Sequence, residues 1–161
     1  MGKSTSQRTV KKKAITGLVL ALPILYLMDA YSHNLVWNLT DSVYFHFAYY
    51  QDAPIEKGDY VTFEFSHPIV REGQTVRLTK RVSCMPGDRL MTQGRYLYCN
   101  DRFVGEALRQ TESGKPLEPF VLNDIIPAGQ VYVSGDSDNS FDSRYWGLLD
   151  IAQLSRVVPI W

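Results

Sequence analysis

The sequence predicts an all-β fold preceded by one N-terminal transmembrane helix. Short apolar runs with period-two alternation are separated by turns that contain glycine or proline, and no long helical periodicity follows the N-terminal segment. These strand-like runs cover residues 60–65, 76–85, 96–100 and 131–134. About 120 residues remain after the N-terminal segment, which is enough for one hydrophobic core and too few for two.

The N-terminal segment divides into a basic tail, residues 1–13, and an apolar stretch, residues 14–36. The tail carries five lysine or arginine residues, whereas the run 14–28 carries no charged side chain. At about 1.5 Å per residue this run is shorter than the roughly 30 Å hydrocarbon core, so the span must be completed by the stretch toward Trp37 or by local thinning of the bilayer. No small-x-small cleavage site follows the run, which favours an uncleaved signal anchor. The positive-inside rule then places the tail in the cytoplasm and residues 37–161 across the membrane.

Charge and cysteine content exclude two classes of partner. Lysine and arginine total 17, as do aspartate and glutamate, and the basic tail leaves the rest of the chain mildly acidic. A nucleic-acid partner is therefore not expected. Cys84 and Cys99 lack the paired spacing of a metal site, so we expect no metal and no cofactor. The sequence leaves two states of these cysteines open: a disulfide in an oxidising compartment, or two small apolar side chains in the core.

The run VRLTKRVSCMPGDRL, residues 76–90, contains a lysine at an apolar position. Its even-numbered residues up to Cys84 are apolar except Lys80, and the odd-numbered ones are polar. In a half-buried strand, Lys80 should therefore point inward while Arg81 points to water. Burial lowers the pKa of a lysine and makes the neutral amine available as a general base. A lysine at a strand end that extends its amine to solvent is the alternative.

The run GDSDNSFDSRYWG, residues 135–147, directly follows an apolar strand. It holds four Asp or Asn residues, three serines and two glycines within thirteen positions. Asx and Ser side chains bond to nearby backbone, so this composition predicts a rigid, internally hydrogen-bonded loop at a strand end. Rigid loops on a sheet scaffold commonly position catalytic groups.

Both runs resemble segments of the signal peptidase I family, membrane endopeptidases that use a Ser/Lys dyad. The loop resembles the family's C-terminal signature, and KRVSCMPGD resembles its lysine-bearing segment. The resemblance implies a coiled, mostly antiparallel, barrel-like β-sheet with Lys80 as the general base. It further implies that Ser140 orients the lysine amine and that Asp142 and Arg144 form a supporting pair.

The nucleophile is harder to place, because the family's usual Ser-Met-x-Pro does not occur in this chain. The conjugative-transfer branch of the family carries Asn-x-Thr-x-Ser followed by an apolar residue, and residues 38–43 resemble that pattern. The resemblance therefore implies Ser42 as the nucleophile, with the Thr40 hydroxyl and the Ser42 N–H as the oxyanion hole. Tyr44 stands where the branch has proline. Ser32 is the alternative nucleophile, but it lacks a hydroxyl two positions before it.

The resemblance implies a single-pass serine endopeptidase of the bacterial inner membrane, with residues 37–161 in the periplasm. Its implied partners are the lipid bilayer, a membrane-tethered precursor, here an exported pilin, and components of the conjugation machinery. Hydrolysis and cyclisation of the pilin both fit the pattern. The aromatic run VYFHFAYY, residues 43–50, is expected to face the bilayer, the core, or both. A general signal peptidase I and a non-catalytic pilus or secretion assembly factor are the alternative functions.

Overall fold

The structure is a computed structural model that describes residues 19, 21–26, 29, 34–38 and 40–160. The chain divides into two units, Met1–Leu35 and Val36–Trp161. In the first unit, residues 19, 21–26 and 29 have helical backbone. Among all described residues, no helix combines the length and the apolarity needed to cross a membrane. The predicted tail at residues 1–13, most of the predicted anchor at 14–36, and Ser32 lie outside the described residues.

The rest of the described chain is built from short strands with few helical turns. The strands are β1 (Leu35–Trp37), β2 (Phe47–Tyr50), β3 (Tyr60–Phe65), β4 (Val76–Cys84), β5 (Arg89–Gln93), β6 (Tyr96–Cys99), β7 (Arg102–Glu106), β8 (Asn123–Ile125), β9 (Gln130–Ser134), β10 (Leu149–Asp150) and β11 (Ser155–Ile160). One short α-helix, α1, covers Ser143–Trp146, and two 3₁₀ helices cover Arg71–Gly73 and Ile151–Gln153. The prediction of a mostly β fold is confirmed.

The strands form two sheets. A seven-stranded sheet has the order β1-β2-β11-β3-β4-β9-β10, and a four-stranded sheet has the order β7-β6-β5-β8. In the first sheet, every pair of neighbouring strands from β2 through to β10 is antiparallel. All neighbouring strands of the second sheet are antiparallel as well. Strand β4 lies between β3 and β9 inside the larger sheet, so both of its edges are hydrogen-bonded. A central position makes β4 a rigid support for the side chains that it carries.

The side chains of strand β4 point in the directions that the sequence predicts. Lys80, Val82 and Cys84 are all but inaccessible to solvent, whereas Arg81 is exposed. One polar residue departs from the pattern: Thr79 is buried, and it lies opposite the buried Thr62 of β3. The second face of the sheet is therefore partly covered as well, which a period-two pattern with polar residues on one side does not predict.

The aromatic run at residues 43–50 forms a strand over part of its length. On β2, Ala48 is fully buried, while Phe47 and Tyr49 on the other face are exposed. Upstream of the strand, Val43 and Phe45 are buried in the same core cluster as Ala48. The prediction of core packing is confirmed for this face of the run, and contact of the other face with lipid stays a prediction.

A disulfide joins the two sheets and settles the state of the cysteines. Cys84 at the end of β4 is bonded to Cys99 at the end of β6, across a sequence separation of 15 residues. Both cysteines lie in a buried cluster with Leu90, Leu97 and Tyr132, among others. Asp88 lies close to both sulfur atoms, but sulfur atoms bonded to each other are not thiolate ligands, so this group is a structural bridge.

Candidate active site

Lys80 is buried at the centre of the site. The residue has 1% of its surface exposed, and its Nζ donates a hydrogen bond of 2.7 Å to Ser140 Oγ. Burial lowers the pKa of Lys80 from 10.5 to about 8, although the carboxylate of Asp142 acts in the opposite direction. A substantial fraction of this amine is therefore neutral near physiological pH, which a proton acceptor requires.

Ser140 reaches Lys80 because the chain makes a close approach at Gly135. Gly135 directly follows β9, whose Ser134 lies opposite Arg81 of β4, so Gly135 lies beside Lys80. A Cβ atom on Gly135 would overlap the Ser140 side chain and would lie 2.7 Å from the Ser42 carbonyl oxygen. Only glycine leaves room for the serine hydroxyl at this point.

A buried ion pair holds the loop that carries Ser140. The Arg144 Nε and Nη2 groups each donate to a carboxylate oxygen of Asp142 at 2.8 Å, and both side chains are buried. Asp142 also accepts a hydrogen bond of 2.8 Å from the Gly135 N–H and caps α1 through the Arg144 N–H. Because both charges are paired and hydrogen-bonded, the pair is compatible with full burial.

The guanidinium of Arg144 also fixes the course of the loop backbone. It donates to the carbonyl oxygens of Ser137, Asp138 and Ser140 at 3.2, 2.9 and 2.9 Å. A further bond of 3.0 Å reaches the carbonyl oxygen of Glu106 at the end of β7. One side chain thus ties the loop to itself and to the four-stranded sheet. The predicted rigid, internally bonded loop is what the structure shows.

The structure places Ser42 and Thr40 on the wall of a cleft that also includes Ser140. The cleft has a volume of about 650 Å³. Ser42 is half-buried, and its carbonyl oxygen accepts a hydrogen bond of 2.8 Å from the Asp136 N–H. Thr40 is exposed. Ser140 therefore contacts the buried lysine on one side and the cleft on the other.

The proposed dyad itself is not hydrogen-bonded in this structure. Lys80 Nζ donates to Ser140 Oγ, and no hydrogen bond joins it to Ser42 Oγ. Catalytic hydrogen bonds are often long or poorly aligned before substrate binds. The pairing of Ser42 with Lys80, and the role of Thr40, accordingly stay predictions.

The other walls of the cleft are partly apolar and carry negative charge. Among the residues that the structure describes, five apolar or aromatic side chains line it, together with two carboxylates, Asp41 and Glu112, and no cationic side chain. The apolar and aromatic residues are Ile69, Leu108, Leu117, Phe141 and Tyr145. Glu112 accepts a hydrogen bond of 2.7 Å from the Asn139 amide, which connects the chain around residue 112 to the loop that carries Ser140. A cleft of this size is suited to an extended peptide segment.

Sequence reasoning missed three residues that shape this site: Gly135, Asp136 and Tyr60. Gly135 was included only as the start of the loop, although a glycine immediately after a strand is a recognised signal of close backbone approach. The Asp136 carboxylate accepts hydrogen bonds from Tyr60 and Tyr44, which are 76 and 92 positions away in sequence. Contacts of that separation leave no periodic signal in the chain.

Comparisons with known proteins agree with the resemblance seen in the sequence. The family described as "Signal peptidase, peptidase S26" matches residues 7–161. Signal peptidase I of Bacillus caldolyticus is 30% identical over 116 residues, which cover 65% of this chain and 60% of the relative. The chain thus aligns with well under two thirds of that relative's length.

A solved structure is similar over a comparable part of the chain. The crystal structure of a signal peptidase I from Enterococcus faecalis V583 has a TM-score of 0.43 and 25% sequence identity. The similarity covers 67% of this chain and 99% of the other. Because the family match extends over nearly the whole sequence, the chain belongs to the signal peptidase family, peptidase S26.

Proposed function

We propose that this protein is a serine endopeptidase that cleaves signal-peptide-bearing precursor proteins with a Ser42/Lys80 dyad. One observation carries the proposal: a buried lysine with a lowered pKa is held against Ser140, at the wall of the cleft that contains Ser42. A buried lysine with no charged partner in contact costs free energy, and supplying a neutral base is a function that would retain it. Membership of the peptidase family supports the same assignment.

In the acylation step, the neutral Lys80 amine takes the proton of the Ser42 hydroxyl as Oγ attacks the scissile carbonyl carbon. The negative charge that develops on the carbonyl oxygen is stabilised by the Thr40 hydroxyl and the Ser42 main-chain N–H. Lys80, now an ammonium, donates a proton to the leaving amine, and an acyl-enzyme on Ser42 remains. Ser140 accepts a hydrogen bond from the amine throughout and keeps it directed at the cleft.

In the deacylation step, a nucleophile attacks the carbonyl carbon of the Ser42 ester while Lys80 again accepts a proton, and Lys80 returns that proton to Ser42 Oγ as the ester bond breaks. If water attacks, the product is a free carboxylate. If the amino terminus of the substrate attacks, the product is a cyclic polypeptide. The atoms at the site serve both reactions, because each nucleophile needs only a proton acceptor and a stabilised oxyanion.

For the substrate, we propose an exported pilin precursor of a conjugation system. The match of residues 38–43 to Asn-x-Thr-x-Ser supports this choice. A general signal peptidase I that accepts many precursors has equal support from the family match and from the relative. The two candidates share the chemistry and differ in the range of sequences that they cleave.

For the location, we propose a single span of the bacterial inner membrane with the cleft on the periplasmic side. The basic tail and the apolar run that follows it support this arrangement. Exposed Trp37, Phe47 and Tyr49 provide aromatic side chains suited to the headgroup region. The bilayer and the conjugation machinery would then be the protein's neighbours.

The test is cleavage of defined precursors by the full-length protein in proteoliposomes. The substrates are a conjugative pilin precursor and an unrelated secretory precursor, and the products are identified by mass spectrometry. Cleavage by the wild type, with loss of cleavage in Ser42→Ala and Lys80→Ala, supports the proposal. Ser32→Ala is the matched control and should cleave normally.

Three results would change the assignment. Normal cleavage by Ser42→Ala together with failure of Ser32→Ala would show that Ser32 is the nucleophile. Cleavage of both precursors at similar rates would favour a general signal peptidase. A pilin product that is lighter by one water molecule than the linear hydrolysis product would indicate cyclisation. An inactive wild type that still binds the pilin precursor would favour the non-catalytic assembly factor.

A further inference from the structure

The geometry points to Asp136 and Tyr44 as positioning residues for Ser42. We call their contact the Asp136 clamp: the hydrogen bonds that Asp136 makes to Ser42 and to Tyr44. The clamp holds the main chain on both sides of Val43 against the end of β9, and so fixes where the nucleophile lies relative to Lys80. This inference rests on the proposed function, because it concerns the same reaction.

The clamp consists of three hydrogen bonds between two distant segments. The Asp136 N–H donates to the Ser42 carbonyl oxygen at 2.8 Å. The Tyr44 N–H donates to Asp136 Oδ2 at 3.2 Å, and the Tyr44 hydroxyl donates to the Asp136 carbonyl oxygen at 2.8 Å. Asp136 thus uses its N–H, its carbonyl and its carboxylate on a segment that is 92 to 94 positions away in sequence.

The carboxylate at the centre of the clamp is itself held in place. Its side chain is only 6% exposed, and Oδ2 accepts a second hydrogen bond of 2.8 Å from the Tyr60 hydroxyl of β3. Burial, with the hydrogen bond to Asp136, raises the pKa of Tyr60 to about 12, so this hydroxyl remains a donor at working pH. The clamp is therefore anchored to the seven-stranded sheet, which also carries Lys80.

The segment that contains Ser42, residues 40–46, needs hydrogen bonds from outside to fix its main chain. Residues 40–46 form no strand or helix, and Tyr44 is 69% exposed. The buried side chains of Val43 and Phe45 anchor the segment to the core, but apolar contacts alone do not fix the main-chain angles at Ser42. Misplacement of a reacting atom by about 1 Å can lower the rate on the order of 10²-fold, so backbone restraint at the nucleophile affects turnover directly.

A competing explanation is that Asp136 serves only as the ion-pair partner of Arg81. Arg81 Nη1 lies 3.9 Å from Asp136 Oδ1, and the arginine side chain is 52% exposed. Pairs with such exposure contribute little to stability. The two explanations differ in what they require of residue 136: the clamp needs an acceptor oxygen at the Oδ2 position, whereas the ion pair needs a negative charge.

The test therefore compares Asp136→Asn with Asp136→Ala in the full-length protein in proteoliposomes. The asparagine can place its oxygen at the Oδ2 position, where it accepts from Tyr44 and Tyr60, and its amide toward Arg81. Alanine removes the acceptor altogether. Tyr60→Phe is the matched control, because it removes a hydrogen bond to the same carboxylate and keeps the ring that packs against Phe45 of the Ser42 segment. The measurements are kcat and KM for the cleaved precursor, and hydrogen exchange of the Tyr44 amide.

We expect Asp136→Ala to lower kcat on the order of tenfold or more with KM changed by less than about threefold. Asp136→Asn should stay within about threefold of the wild type, and Tyr60→Phe should lose less than Asp136→Ala. The Tyr44 amide should exchange faster in Asp136→Ala and remain protected in Asp136→Asn.

Other results would overturn the inference. An asparagine variant as slow as the alanine variant would assign the effect to charge, and unchanged kcat in Asp136→Ala would remove the positioning role. If the wild type cleaves no precursor, the proposed function fails, and the exchange measurement still decides the clamp. Equal protection of the Tyr44 amide in the wild type and Asp136→Ala would then show that the carboxylate of Asp136, which is the part of the clamp that this variant removes, does not restrain the segment.

Discussion

The Lys80 amine is the group on which the chemistry depends most directly. Its pKa of about 8 means that the protonated, inactive form dominates at lower pH. We expect kcat/KM to rise about tenfold per pH unit below about pH 8 and to level off above it. A pH–rate profile on the free enzyme measures this directly. A profile that is flat through this range would show that Lys80 is not the base.

The lowered pKa of Lys80 also makes the free energy of unfolding depend on pH. Lys80 titrates at about 8 in the folded protein and at 10.5 in the unfolded chain, so the unfolded state binds more protons between these values. The stability of the wild type should therefore rise with pH across this window. Lys80→Met does not titrate at this position, so across this window the free energy of unfolding of the wild type should rise by about 3 kcal/mol relative to that of the variant. Urea unfolding of both proteins at several pH values measures this change in their difference.

Thr40 provides a separate test of the oxyanion hole. Thr40→Val keeps the shape of the side chain and deletes its hydroxyl, whereas Thr40→Ser retains a donor. Removing an oxyanion donor costs on the order of 10² to 10³ in turnover, so only the valine variant should lose activity on this scale. Because Thr40 is exposed, both variants should fold as the wild type does. Cleavage rates that are equal in the two variants would remove Thr40 from the mechanism.

At the scale of elements, the loop after β9 should be sensitive to a single methyl group. In Gly135→Ala, the new Cβ would overlap the Ser140 side chain and approach the Ser42 carbonyl oxygen. We expect loss of cleavage, because Ser140 must leave Lys80 or the nucleophile segment must shift. Asp138→Ala is the matched control, since Asp138 is exposed and only its carbonyl bonds to Arg144.

A second variant separates folding from chemistry at this point. The double substitution Gly135→Ala with Ser140→Gly relieves the overlap with the Ser140 side chain, leaves the close contact with the Ser42 carbonyl oxygen, and removes the acceptor of the Lys80 hydrogen bond. It should regain part of the thermal stability without regaining activity. Full activity in the double variant would show that Ser140 does not orient the lysine.

The alternation of apolar and polar residues along the sequence predicted those strands in which one face is clearly apolar. The run at residues 60–65 forms β3 over the same residues, and those at 76–85 and 131–134 match β4 and β9 to within one residue. The direction of Lys80 follows from alternation alone. Strands β1, β5, β7, β8, β10 and β11 were not predicted, since short, half-exposed strands carry little periodic signal. The Asp136 clamp was missed because it depends on how distant segments meet.

At the scale of the whole molecule, the two sheets support different parts of the site. The seven-stranded sheet carries Lys80 on β4, and its strand β9 ends immediately before Gly135. Strand β7 of the four-stranded sheet supplies the Glu106 carbonyl oxygen that accepts a hydrogen bond from Arg144. The site therefore depends on the relative placement of the sheets. The sequence alone leaves the state of Cys84 and Cys99 open, because whether two Cβ atoms face each other is a property of the assembled sheets.

The disulfide between β4 and β6 should stabilise this arrangement without taking part in the chemistry. Its loop of 15 residues corresponds to about 3 kcal/mol in the chain-entropy model. Reduction of the wild type should therefore lower the free energy of unfolding by about that amount. The double variant Cys84→Ala with Cys99→Ala, compared with the wild type in urea with and without reductant, tests this. The variant should unfold at a lower urea concentration and should not respond to reductant.

The activity of the same variant separates stability from mechanism. Cys84 ends the strand that carries Lys80, but the bonds that hold this strand and the Lys80 amine come from β3, β9 and Ser140, so the folded fraction should retain its kcat at temperatures well below the unfolding transition. A variant that remains folded but loses cleavage would show that the bridge also sets the position of the active-site loop. In that case Arg144, which bonds to both the loop and β7, is the side chain through which a shift of the four-stranded sheet would reach Ser140.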